Sequence, residues 1–293
     1  MKNNETEHGP HTPTMERRNM LRGTGAGAFA ALAAAGVLAN ARPAEAQGVN
    51  DAAILNFALN LEYLEAEFYS RAVYGVGLSA VDTGPGAGTV IGGSQVPFTP
   101  GGAIQQYATE IANDEIAHVR FLRAALGGSA VPEPSIDLVN SFATLGSLIG
   151  VPNFNPFTSE TNFLIGSYVF EDVGVTAYHG AAPLVQNRTY LSAAAGILAV
   201  EAYHASEVRS LLYSLGTATQ NLTVAISNVR ASLSGASDDQ GVVSSSGAAN
   251  IVPTDSNSIA FSRTPRQVLN IVYGAPNATK GLFFPNGLNG AVK

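Results

Sequence analysis

Glu115 and His118 stand three residues apart in the run 105–126, QQYATEIANDEIAHVRFLRAAL, and Glu201 and His204 repeat that spacing in VEAYHASE. Residues at i and i+3 share one face of a helix, so each pair offers a carboxylate and an imidazole to the same point. Histidine is scarce here. The chain has five, and beyond residue 46 only His118, His179 and His204 remain. Two further runs set an acid among apolar residues: Glu62, with Glu65 one turn on, in LNLEYLEAEFY, and Glu171 after FLIGSYVF.

Four helices giving Glu, Glu-x-x-His, Glu and Glu-x-x-His supply the donors that hold two metal ions in a bundle core. A buried carboxylate is unfavourable unless paired or metal-bound, and several converging carboxylates without cations repel one another and take up protons. Two divalent cations roughly cancel four negative charges. Oxygen and imidazole donors suit two Fe or two Mn ions, with zinc as a redox-silent occupant. The chain has no Cys, which excludes a thiolate metal site and a disulfide framework. The candidate ligands are Glu62, Glu65, Glu115, His118, Glu171, Glu201 and His204, with the choice between Glu62 and Glu65 open. Tyr69 falls two turns beyond Glu62 on the same stripe, as a core tyrosine or a partner to a ligand. Glu67 points elsewhere. His179 has a packing or hydrogen-bonding role, and Glu110, Asp114 and Glu207 lie outside the ligand set.

Apolar residues spaced by three and four predict helices over 51–73, 102–126, 160–182 and 189–215. Each is long enough for a bundle, so the fold class is all-α. Residues 76–100 are rich in Gly and Pro and form a long loop. Residues 127–158 form a second, with a short helix expected near 136–148. Past Gly216 the composition shifts: VRASLSGASDDQGVVSSSGAAN reads as loop and RTPRQVLNIVYG as a short helix. Phe283, Phe284 and Leu288 imply a tail that wraps the bundle. The expected organisation is a bundle over 50–216 and an extension over 217–293 packed on it.

Residues 1–46 form a separate segment. Arg17, Arg18 and Arg22 precede an Ala/Gly-rich stretch that ends at Ala44-Glu45-Ala46. This is the anatomy of a cleaved twin-arginine export signal and directs the protein to the periplasm or beyond. Residues 23–41 lack the strong apolar side chains of a retained anchor, so no transmembrane segment is expected in the mature chain. The net charge of −7 makes nucleic acid an unsuitable partner.

LNLEYLEAEFY, NDEIAHVRFLR and EAYHASEVR resemble the ferritin-like proteins. More narrowly, they resemble the secreted ferritin-like group that includes desiccation-related and stress-response proteins. The tail RTPRQVLNIVYG…GLFFPNGLNG resembles that group too, so the likeness covers most of residues 50–290. It implies a ferritin-like four-helix bundle with long Gly-rich loops and an extended C-terminal tail. In that pattern a first-helix Glu precedes a Tyr by seven residues, which implies Glu62 as ligand with Glu65 as substitute. The function implied is an exported dimetal carboxylate protein, of iron or manganese, that reacts with peroxide or dioxygen in stress or desiccation protection. The 76–100 insertion and the tail depart from cage-forming ferritin, so a monomer or small oligomer is expected. A non-enzymatic structural or protective protein with a vestigial or structural metal site fits the same ligands, which leaves enzymatic turnover open.

Overall fold

The computed structural model describes residues 50–236 and 239–293, so the expected leader, 1–46, lies outside the described residues. Helix α1, Asp51–Tyr74, begins where the Asn50 side chain accepts the Ala53 N–H and stops at Gly75, which takes a left-handed φ of 73°. An oxygen-bearing cap and a glycine free to turn left-handed satisfy the orphan backbone groups at the two ends. After the short α2, Ala80–Thr83, the chain reaches α3, Ala103–Leu126, and then α4, Asn140–Leu148. Helix α5, Glu160–Ala181, is capped by Ser159, and a single 3-10 turn leads from it to α6, Arg188–Ser214. Two more helices follow, α7, Thr217–Ser234, and α8, Pro265–Tyr273.

The four long helices form the bundle, with α1 packed on α3, α5 packed on α6, and α1 against α5. Burial is uneven among them. Helices α1 and α5 are buried on nearly every side, whereas α3 and α6 each bury one stripe. The difference arises because later segments cover the backs of α1 and α5. Phe283 packs on Phe142 and Phe170, and the Asn289 N–H donates to Asn60 Oδ1. Phe283, Phe284 and Leu288 are buried, as their apolar character requires. The architecture is a helical core of α1, α3, α5 and α6 with additional C-terminal helices, richer than a simple four-helix bundle.

Two local expectations are corrected. Within 136–148, residues Ile136–Asp137 form a two-residue strand, β2, pairing in parallel with β1, Val90–Ile91, and the helix starts only at Asn140. This pairing ties the long Gly-rich loop to the second connection. Residues 229–234 belong to α7 rather than to a loop.

Helix α7 is held by charge as well as by apolar contact. Arg230 reaches Asp172 Oδ2 at 2.9 Å and Asp239 Oδ1 at 2.8 Å, and its guanidinium lies 4.6 Å from the Tyr168 ring centre. Arg209 donates to the same Asp172 oxygen at 2.8 Å and to the carbonyls of Gln240, Gly241, Asn250 and Ile251. Buried ions are tolerated only with such saturation. The tail is thereby fastened to α5 and α6.

Candidate metal centre

Seven side chains from four helices meet in the middle of the bundle. Glu62 and Glu65 come from α1, Glu115 and His118 from α3, Glu171 from α5, and Glu201 and His204 from α6. All seven are buried. His118 Nδ1 lies 3.2 Å from Glu62 Oε2 and 3.4 Å from Glu115 Oε2, while His204 Nδ1 lies 3.1 Å from Glu115 Oε1. The two imidazoles thus flank Glu115, with ring centres 6.4 Å apart.

Two sets of donors converge tightly enough to hold an ion each. One is Glu62, Glu115, His118 and Glu201; the other is Glu115, Glu171 and His204; within each set the donor atoms lie within 4.8 Å of one another. Glu115 belongs to both and stands between them. Glu65 belongs to neither, so of the two α1 candidates the geometry brings Glu62 into the cluster and leaves Glu65 at its edge. Gly174, on α5, makes this edge possible. A Cβ there would collide with Glu201 Oε2 and lie 3.4 Å from Glu65 Oε1.

Two tyrosines brace the carboxylates across the bundle. Tyr69 of α1 donates to Glu171 of α5, and Tyr178 of α5 donates to Glu62 of α1. Burial and then the neighbouring glutamate raise both phenols well above their ordinary value, so both hydroxyls stay protonated donors. The sequence leaves Tyr178, like Tyr69, as a core tyrosine or a partner to a ligand, and the spacing favours the second: Tyr178 follows Glu171 by seven residues, as Tyr69 follows Glu62. Asp114, which the sequence leaves as helix surface or as support to a ligand, takes the supporting role. It sits 3.1 Å from His204 Nε2, which fixes the ring with Nδ1 facing the carboxylates. His179 lies apart, its Nδ1 3.0 Å from the Phe261 carbonyl, and Glu67 turns away to Arg71 at 2.5 Å.

The electrostatics are those of a cluster built for cations. Burial raises Glu62, and the Glu115 charge adds to this, to about 7. Burial also leads in raising Glu171 to about 8, against the nearby His204, and in pushing Glu65 and Glu201 well above the usual carboxylate range, where the other glutamates add repulsion. Glu115 goes the other way: burial would raise it, but hydrogen bonds and charge from His118 and His204 bring it to about 2. Against the opposing effect of burial, the surrounding glutamates lift His118 to about 11 and His204 to about 10. Eight buried donor atoms of this cluster have no hydrogen-bond partner outside it and face only one another: Glu62 Oε2, both oxygens of Glu115, Glu171 Oε2, both oxygens of Glu201, and Nδ1 of each histidine. Buried polar atoms left unpaired are rare in folded proteins. Here they fall in the two donor sets that share Glu115 and comprise only oxygen and imidazole nitrogen, so the residues present fit two metal ions.

The model of the ferritin-like domain matches residues 50–214, which span the whole helical core and every residue of the cluster. The chain belongs to the ferritin-like family. Among its relatives is the desiccation-related protein PCC13-62 of Craterostigma plantagineum, 32% identical over 265 residues that cover 82% of this chain and 83% of that protein. The ferritin-like catalase Nec2 of Nesocodon mauritianus is 30% identical over 274 residues, covering 85% of this chain and 87% of its own. No solved structure matches the chain. Both alignments are longer than residues 50–214, so the likeness reaches beyond the matched domain.

Proposed function

We propose that this protein is an exported dimetal carboxylate protein that reacts with peroxide or dioxygen and serves in stress or desiccation protection. The observation that carries the reading is the pair of buried donor sets that share Glu115, whose atoms find no hydrogen-bond partner outside the cluster. Glu62, Glu115, His118 and Glu201 would hold one ion, and Glu115, Glu171 and His204 the other. Two iron or manganese ions there would supply the electrons that reduce an oxidant. The chain's own contribution is positional. Tyr69 and Tyr178 fix the outer carboxylates, Asp114 fixes His204, and burial keeps bulk water from the centre. Nec2, a relative of similar length, is named a catalase, and PCC13-62 a desiccation-related protein, which supports both halves of the reading. Export to the periplasm or beyond rests on the twin arginines and small-residue cleavage pattern of the leader. Among the described residues no helix is long and apolar enough to cross a membrane.

The test is metal content. The mature protein, purified without chelator, should carry close to two iron or manganese ions per chain by mass spectrometry, and the Glu115→Ala/His204→Ala variant should carry almost none. Loaded protein should then consume peroxide or dioxygen. Metal without turnover would favour the protective, non-enzymatic alternative, and no metal after reconstitution would overturn the dimetal reading.

A further inference from the structure

A small cavity of about 20 Å³ lies where α1, α5 and α8 meet. Leu61, Leu64, Val173, Ile271, Val272 and Phe283 supply its apolar walls. Its inner end is formed by Glu65 and Gly174. Gly174 is also the residue whose missing side chain leaves room for Glu201 Oε2, so a single backbone position separates the cavity from the carboxylate cluster. Helix α8 contributes the buried Ile271 and Val272 to its walls.

We propose that this cavity is a seat for molecular dioxygen beside the carboxylate cluster. Size comes first. A cavity needs roughly 10–15 Å³ to take a water-sized guest, whereas organic ligands occupy pockets of about 300–1,000 Å³; the guest is therefore a diatomic molecule or a water. Chemistry decides between these. A buried water requires two to four polar partners, and the only polar side chain among the walls is Glu65. Hydrogen peroxide, with two hydroxyls to satisfy, is disfavoured on the same ground, because a polar group buried without a partner loses its hydration for nothing. Dioxygen has no hydrogen bonds to lose and gains contacts with aliphatic walls. The assignment deepens the oxidant reading, and its part in turnover rests on that reading. Dioxygen is the oxidant in one version of the chemistry, and in the other it is the product when two peroxides yield dioxygen and two waters.

The seat is measurable without metal or turnover. Metal-free mature protein, labelled at Leu, Ile and Val methyls, is placed under dioxygen and then under nitrogen at equal pressure, and paramagnetic relaxation of each methyl is read by NMR. Methyls of Leu61, Leu64, Val173, Ile271 and Val272 should show several-fold greater enhancement than those of Ile54, Leu55 and Leu145, which are equally buried. Val173→Ile, adding one methylene, should abolish the excess at Leu61 and Leu64 while the rest of the spectrum persists. Equal enhancement at both sets in the unsubstituted protein would overturn the proposal, whatever the variant does. Metal content is measured separately: a seat without metal would refute the oxidant reading and leave the seat, and metal without a seat would do the reverse.

Discussion

Glu115 is the residue on which both halves of the cluster depend, because it alone lies in both donor sets. Glu115→Ala should therefore remove both ions, whereas Glu62→Gln should lower metal content by one and Glu65→Gln should leave it near two. Metal analysis of the three variants decides this, and loss of metal in Glu65→Gln would reverse the assignment on α1. The protonation pattern gives a second prediction. Near neutral pH the metal-free cluster holds protons on His118 and His204, Glu171 is more than half protonated, and burial favours the protonated forms of Glu65 and Glu201. Metal ions must displace them, so loading should release several protons and strengthen as pH rises from 6 to 8. Calorimetric titration in two buffers of different ionisation enthalpy counts the protons; release of one or none would contradict the pattern. The two Glu-x-x-His pairs and the two lone glutamates were legible in the sequence because helical spacing places them on one face. Which ligand Asp114 supports was not, because the contact joins α3 to α6 and no local spacing encodes it.

The elements around the centre carry their own tests. The loop over 76–100 is pinned where the Leu78 N–H donates to Glu67 and the Gly88 N–H donates to the Glu133 carbonyl. Burial, then the neighbouring Glu67, pushes the Glu133 carboxyl up to about 9. Arg71 opposes that shift, and Tyr63 and Arg123 lie close by. The folded protein thus holds a proton that the unfolded chain, at an ordinary value of 4.5, gives up. Stability from this group is whole below the unfolded value and is lost as pH rises towards 9. Glu133→Gln should accordingly melt above the parent at pH 8 and close to it at pH 4, and equal differences at the two pH values would disprove the link. In the tail, Arg230→Ala strips partners from Asp172 and Asp239. Unfolding by denaturant should show a loss of about 3–5 kcal/mol, as when one partner of a buried ion pair is removed. A loss below about 1 kcal/mol, the scale of an exposed ion pair, would mean the staple is slack. The buried face of α7 also shows why part of it read as loop. Its inward positions are Thr219, Thr223, Ile226, Ser227, Arg230 and Ser234, so the apolar stripe that betrays a helix is nearly absent. The four long helices, each with an apolar stripe or buried on nearly every side, were legible to within one or two residues at their ends.

At the scale of the whole molecule, metal and fold should be linked. Ions that bind only the folded chain stabilise it by about 2.7 kcal/mol for each site held at a hundred times its Kd. In a domain of this size each kcal/mol raises the melting temperature by about 2–4 °C. Calorimetry with and without chelator should therefore show a clear fall on metal removal, absent from Glu115→Ala/His204→Ala. Chain topology adds one consequence. Tyr69 and Tyr178 each serve a glutamate on the opposite long helix, so neither the α1–α3 pair nor the α5–α6 pair can finish its own half of the centre. A nascent chain that has made only its first pair presents Glu62 without its hydroxyl and Glu115 without its second imidazole. Selection among competing cations is then exercised by the docked bundle, in the compartment where docking happens.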